Sequence, residues 1–240
     1  MVLIAFFLIS IFAVPAVSAQ NLTLADIDAL HEKGQSQAEY QSIASAIKKV
    51  LTGNSDQYQW QWRLARTEYA LAKTSDEAKI DHYDQCIRHS SLAIELQADS
   101  AVSYFYRGLC RGKQGEMKGI WASLAIIDPF EEDMKKAVEL DPTVNHAGPH
   151  RALGRLYMEL PFFMGGDSDK SLDHLKEAVR LAPDYAENQL GLAQAFIEKN
   201  NSEQARETLH KMMQLTDNAQ DKKLLSFRKE AMELLENLSP

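Results

Sequence analysis

Apolar residues recur along this chain at helical spacing, and small residues return at the same place within each run. Four runs close alike: Leu92-Ala93-Ile94-Glu95-Leu96, Lys136-Ala137-Val138-Glu139-Leu140-Asp141-Pro142, Glu177-Ala178-Val179-Arg180-Leu181-Ala182-Pro183 and Lys211-Met212-Met213-Gln214-Leu215. A spacing of about 34 to 45 residues is that of paired helices stacked in a row, each pair burying its apolar face against its neighbours. The alternation of half-buried strands is absent from the sequence, so the pattern predicts an all-α chain.

The clearest unit runs from Ala186 to Asp217, with Gln189, Leu192, Ala193, Phe196, Ala205, Leu209 and Met212 at its repeating positions. The preceding unit places Leu153, Gly154 and Tyr157, then Ser171, Leu175 and Ala178, in the same order. Small residues are needed where two helices cross, because the backbones approach only if no large side chain intervenes. A further unit carries Tyr104, Gly108, Met134, Ala137 and Pro142. An earlier one pairs the helix around Trp62-Arg63-Leu64-Ala65-Arg66 with a helix from Ile80 to Leu96, with Cys86 and Ala93 at the small positions.

Upstream, Thr23 to Lys33 and Gln37 to Leu51 form a degenerate hairpin. Downstream, Asp221 to Leu238 is one amphipathic helix with Leu224, Leu225, Phe227, Ala231, Leu234 and Leu235 on its packing face, suited to cap the open end. These positions follow the tetratricopeptide repeat (TPR) consensus. The expected fold is a TPR-type α-solenoid of about five helical hairpins plus a C-terminal capping helix. Its divisions are residues 20–57 for the degenerate hairpin, 58–217 for the repeats and 218–240 for the cap.

Two inserts separate helices within the repeats. One is Gly115 to Phe130, with Ile120, Trp121, Leu124, Ile126 and Ile127; the other is Leu160 to Gly166, with Phe162, Phe163 and Met164. A plain repeat does not require apolar loops. Each insert is expected either to fold over an adjacent groove or to form a lip for an apolar ligand or a partner subunit.

The first nineteen residues differ in kind. Val2 to Val14 is apolar and uncharged and leads to Pro15-Ala16-Val17-Ser18-Ala19, where small residues suit signal peptidase. Residues 1–19 read as a secretory signal cut before Gln20. No Cys follows the apolar run, which excludes a bacterial lipoprotein anchor. The mature chain is expected to be exported, periplasmic or secreted, with no stable membrane insertion. Cys86 and Cys110 fall on helices that abut in a solenoid, so in an oxidising compartment they either form a disulfide or serve as two small buried packing residues.

The chain carries 26 Lys and Arg against 34 Asp and Glu, a net charge of -8. This disfavours a nucleic-acid footprint and favours basic partners or cations. His146 and His150 have metal-like spacing, but Gly148 and Pro149 fall between them and no further ligand follows. His82, His89, His174 and His210 read as solvent-facing or cap-like. Glu131-Glu132-Asp133 reads as the acidic first turn of a helix. Gly165-Gly166-Asp167 reads as a tight turn with Asp167 as N-cap. Neither a metal site, a cofactor site nor a nucleophile with its base is indicated, so the chain is expected not to be an enzyme.

Three features carry a resemblance to known families: Trp62-Arg63-Leu64-Ala65-Arg66 with Tyr69, Tyr104 to Leu109, and Leu153-Gly154-Arg155-Leu156-Tyr157 with Phe163-Met164-Gly165-Gly166-Asp167. Over about Tyr58 to Thr216 the chain resembles the T component of tripartite TRAP transporters and the TPR domain of the regulator of microtubule dynamics family. The resemblance implies a helical adaptor without enzymatic activity. It implies a protein or peptide partner, or an apolar small ligand held beside a solute-binding protein. Repeat geometry places Trp62, Arg66, Tyr69, Phe105, Leu109, Arg151, Arg155, Met158, Leu190, Gln194 and Ile197 on the concave face, with burial against the N-terminal hairpin or an insert as the alternative for Trp62, Phe105 and Leu190. Aromatic rings interleaved with guanidinium groups suit a peptide or a carboxylate-bearing ligand.

Overall fold

Most helices here open where a side chain can take up the unpaired amides of the first turn. The computed structural model describes residues 23–34, 36–52, 57–75 and 77–238, and the leader read from residues 1–19 lies outside them. Helix α1 (Leu24–Lys33) and helix α2 (Gln37–Leu51) begin with reciprocal capping boxes, Thr23 with Asp26 and Ser36 with Glu39. Then follow α3 (Gln57–Thr74), α4 (Lys79–Leu96), α5 (Ala101–Lys118), α6 (Ile120–Leu140), α7 (Val144–Glu159), α8 (Ser168–Leu181), α9 (Ala186–Glu198), α10 (Ser202–Leu215) and α11 (Lys222–Asn237). Ser100, Asp167, Asn201 and Asp221 cap α5, α8, α10 and α11 through their side chains.

The helices form an all-α solenoid of five successive pairs, closed by α11 against α9 and α10. Among the described residues there is no strand, and no helix is long and apolar enough to cross a membrane. Close crossings hold the pairs together. A Cβ on Gly154 would stand 2.5 Å from Leu175 Cγ, and one on Gly108 would stand 2.5 Å from Met134 Cε. The core falls into successive clusters along the array. Ile27, Ile47, Leu64 and Leu71 fill its start, Phe105, Met134, Leu153 and Tyr157 its middle, and Leu190, Leu209, Met212 and Ala231 its end. Cys86 of α4 and Cys110 of α5 are joined by a disulfide, both fully buried, with their Cα atoms 6.2 Å apart.

The first insert is not a loop. Helix α5 continues to Lys118, α6 starts at Ile120, and only Gly119, with φ of 98°, separates them. The pair is simply longer than its neighbours, and the close approach persists, since a Cβ on Gly115 would stand 2.9 Å from Ile126 Cγ2. Spacing of Leu124, Ile127 and Phe130 at three residues is helical, which is the physical reason the segment coils. Trp121 thus sits in the first turn of α6. The acidic run Glu131 to Asp133 accordingly lies inside α6 and not at its start. Asp133, 2% exposed, accepts hydrogen bonds from Arg107 at 2.6 Å and from Arg111 at 2.8 Å, a buried clamp between α5 and α6.

The second insert is a loop, but it does not fold back with its rings. Phe162 and Phe163 are 91% and 85% exposed on a 3-10 turn, Phe162–Met164. Gly166 cannot be replaced without moving the turn, because a Cβ there would lie 1.8 Å from Leu160 O. The Gly165 N–H donates to Phe162 O at 3.1 Å and the Asp167 N–H to Tyr157 O at 2.9 Å, so the loop is tied at both ends.

At the start of α7, Asn145, His146 and Ala147 have φ of 50°, 57° and 57°. The right-handed helix therefore opens at Gly148-Pro149, where the missing proline N–H costs nothing. The left-handed turn is held from outside: buried Asn188 donates to His146 O at 3.1 Å and accepts from Arg151 Nη1 at 2.7 Å.

Candidate functional site

A cavity of about 1200 Å³ occupies the face formed by the first helices of the pairs. Each helix gives it one stripe at the three-to-four-residue period. Helix α3 supplies Arg66, Tyr69, Ala70 and Lys73; α5 supplies Leu109, Gly112, Lys113 and Glu116; α7 supplies Arg151, Ala152, Arg155 and Glu159. Two further elements close the sides. The elongated α6 contributes Leu124, Ile126, Ile127 and Phe130 as an apolar wall, and the start of α11 contributes Lys222 and Lys223. The wall exists because α5 and α6 run past their neighbours.

Of the residues placed on the concave face from sequence, Arg66, Tyr69, Phe105, Leu109, Arg151 and Arg155 line this cavity, whereas Trp62, Met158, Leu190, Gln194 and Ile197 do not. Trp62 lies under the guanidinium groups of Arg63, at 4.1 Å, and Arg66, at 5.1 Å. Leu190 is buried against α10 and α11, and Gln194 donates to Glu230 of α11 at 2.6 Å. The cap takes the surface that α9 would otherwise present. Phe105 is 1% exposed and forms the floor more than the lining. Phe162, Phe163 and Met164 stand outside the cavity.

Sequence reasoning missed Lys73, Lys113, Tyr185 and Lys223, whereas Leu124, Ile126, Ile127 and Phe130 belong to the insert it offered as a lip for an apolar ligand. Lys73 and Lys113 were within reach of it, each four residues beyond an assigned lining residue, Tyr69 and Leu109. Tyr185 and Lys223 were not, because they depend on how far the array curls.

The charges of the cavity differ from those of the chain. Its lining has seven cationic side chains, Arg66, Lys73, Lys113, Arg151, Arg155, Lys222 and Lys223, against four anionic ones, Glu116, Glu159, Glu187 and Asp221. The lining thus carries a formal excess of three positive charges in a chain of net charge -8, with Arg66 paired to Asp28 behind it. A wall-bounded cavity focuses such a field and raises the local concentration of anions.

The polar groups are held in place to different degrees. Arg66 pairs with Asp28 at 2.6 Å. Arg151 donates to Asn188 and lies 4.9 Å over the Tyr185 ring, with Glu187 3.6 Å away. Glu187 also pairs with Lys223 at 2.8 Å; burial alone would raise its pKa, but Arg151 and Lys223 hold it below the usual carboxylate value. Arg155 is half-exposed and meets Glu159 at 3.4 Å. Tyr106, beneath the floor, is a neutral phenol whose pKa burial pushes up to about 12. His31 at the rim is neutral as well, its pKa lowered to about 4 by burial and by Arg66.

Of the histidines read from sequence as solvent-facing, His210 is exposed, whereas His82, His89 and His174 are partly or fully buried. His89 is 5% exposed and bonds through Nδ1 to Gln61 Oε1 at 2.7 Å. His82 bonds to the buried Glu68 at 2.7 Å, and His174 meets His150 at 2.9 Å through their Nδ1 atoms. His146 stacks on Tyr185, with ring centroids 4.5 Å apart. Among the described residues no group of three or more His, Cys, Asp or Glu side chains is arranged to hold a metal ion.

Fold and cavity together define a helical-repeat protein of the TPR class. The chain belongs to the regulator of microtubule dynamics protein 1-3 family, whose model matches residues 23–160. The TRAP transporter T-component model matches residues 116–239, so the two overlap across the end of α5, α6 and α7. Regulator of microtubule dynamics protein 1 of Bos taurus is 24% identical over 235 residues, covering 90% of this chain and 71% of that protein. The Homo sapiens protein of that name is 24% identical over 197 residues, 74% of this chain and 62% of its own length. Among solved structures, the fold is similar to that of a thermophilic TPR protein of Thermus thermophilus. The TM-score is 0.66 at 16% identity, covering 88% of this chain and all of that one. MamA is also similar, with a TM-score of 0.53 at 16% identity, covering 82% and 96%.

Proposed function

We propose that this protein is a non-enzymatic, exported scaffold that holds an extended segment of a partner protein in its concave cavity. The observation that carries the reading is the pairing, across one space, of the apolar α6 wall with an excess of three positive charges. An extended segment with apolar and acidic side chains satisfies both sides at once. Export is supported by the apolar run Val2 to Val14 and by the buried Cys86–Cys110 bridge, a bond that oxidising compartments sustain. A second reading has one observation in its favour. The T-component match spans the α6 wall, which suits a transporter accessory protein holding an apolar small ligand beside a solute-binding protein.

A photo-crosslinking amino acid at Ile127, in the cavity, and at Arg180, exposed on α8, separates these surfaces in cells of the source organism. We expect Ile127 to give a discrete adduct with one polypeptide and Arg180 to give none. The same adducts from both positions, or none from Ile127, would contradict the proposal.

A further inference from the structure

Two guanidinium groups share one carboxylate at the end of the cavity that the first helix pair borders. Asp28 of α1 accepts from Arg63 Nε at 3.0 Å and Nη2 at 2.6 Å, and from Arg66 Nη2 at 2.6 Å. The two arginine side chains are only 10% and 14% exposed, so one positive charge is left unmatched where water and salt screen it little. That charge falls to Arg66. Arg63 holds Asp28 with two N–H groups, donates from Nη1 to Gln59 and lies outside the cavity lining, whereas Arg66 lines the cavity and gives Asp28 a single hydrogen bond. Among the described residues the Arg66 Nε–H has no acceptor. Tyr69, one turn along α3 on the same face, has its ring centroid 6.0 Å from that of Tyr106 of α5, and Tyr106 is 8% exposed. Helices α1 and α5 both pack against α3, which brings these groups to one place. Neither phenol hydroxyl has a hydrogen-bond partner among the described residues, and burial raises the pKa of both, so each keeps its hydrogen. The bordering His31, Gly34 and Tyr40 add no charge, since His31 is neutral and the Tyr40 hydroxyl donates to Gly34 O.

We infer that Arg66, with the hydroxyls of Tyr69 and Tyr106, forms a subsite for a single carboxylate, which fixes the direction in which a ligand lies along the cavity. The inference rests on the cavity being the ligand site proposed above. A planar guanidinium with N–H groups to spare suits a planar carboxylate, and the two phenols donate to its remaining lone pairs. One unmatched positive charge balances a carboxylate. A phosphate group, with close to two negative charges at neutral pH, would stay half-compensated. The carboxylate can belong to an acidic side chain of a partner segment or to an apolar carboxylic acid, and either leaves its apolar part for the α6 wall.

Two probes with one apolar body test this on the full chain: 11-(dansylamino)undecanoate, which is anionic, and its methyl ester, which is uncharged. Fluorescence titration should show the wild type binding the acid about tenfold more tightly than the ester, the size of one charge-assisted contact. Arg66→Gln should bring the acid down to the affinity of the ester, and it leaves Asp28 matched one to one with Arg63. Tyr106→Phe, which removes only a hydroxyl, should weaken the acid about fivefold. Neither variant should move the ester. Displacement of the acid by an acidic peptide with blocked ends would support the subsite and assign its carboxylate to a partner segment; displacement by laurate and not by the peptide would support it as the seat of a small apolar acid. Equal affinity of the wild type for acid and ester, or acid binding that neither Arg66→Gln nor Tyr106→Phe changes, would overturn the subsite while leaving the cavity standing. Binding of neither probe, or binding that Ile127→Glu does not disturb, would overturn the cavity itself.

Discussion

Buried imidazoles are the residues through which this fold is most exposed to acid. Burial lowers the pKa of His31, His89 and His174 to about 4 from an ordinary 6.5; nearby positive charge assists, from Arg66 on His31, Arg88 on His89 and His150 on His174. His150 is lowered too, again by burial first. In the pair His150 and His174 one Nδ1 must donate and the other accept, so two added protons would set like charges against each other. Unfolded imidazoles take protons below about pH 6.5, whereas the folded ones do so only near 4. The stability they permit is therefore complete above about 6.5 and is lost as pH falls towards 4. Urea midpoints should fall between about pH 7.5 and 5, ahead of carboxylate titration. His89→Gln, which removes one such group, should flatten that slope; a slope identical to wild type would refute the role given to His89.

At the scale of elements, the crossings of paired helices decide stability. Gly154 lies where α7 meets α8, and any β-carbon there meets Leu175. Gly154→Leu should cost about 3 kcal/mol or more, since overpacking a closed crossing shifts both backbones. Thermal unfolding measures this, and a midpoint within a degree or two of wild type would show that the crossing is looser than described. The same small residues made the fold legible in sequence: Gly108, Gly154, Ser171, Ala178, Ala193 and Ala205 recur because neighbouring helices must approach. The α5–α6 extension was misread because repeat spacing sets an expected helix length, and surplus residues between two helices then look like a loop. Their own period, with apolar residues at 124, 127 and 130, was the better guide. The exposure of Phe162 and Phe163 had no such signal, since apolar rings in a loop give no indication of whether they point inwards.

The whole molecule separates what is summed from what is local. A net charge of -8 suggested basic partners, yet the curl of the array collects an excess of positive charge on its inner face. Arg66 and Tyr69 on α3, Leu109 on α5, and Arg151 and Arg155 on α7 were readable from repeat register, although Trp62 and Met158 from the same helices fall outside the cavity. Concave positions on α9 were not, because α11 folds across them and brings Lys223 to the far side of the cavity. The cap thus both ends the solenoid and completes the site. The disulfide joins α4 to α5 behind the floor made by Phe105 and Tyr106, with Cys86 Sγ 3.5 Å from Tyr106 O, so it braces the stretch of the array that carries the cavity.

The central claim is that this cavity is occupied in the working protein. Native mass spectrometry of the protein, purified from its own compartment without reducing agent, tests it most directly when wild type and Ile127→Glu are compared. The wild type should appear as the disulfide-bonded chain with one further species bound, anionic and partly apolar, absent from Ile127→Glu at unchanged thermal stability. The bare chain in both, or the same bound species in both, would contradict it.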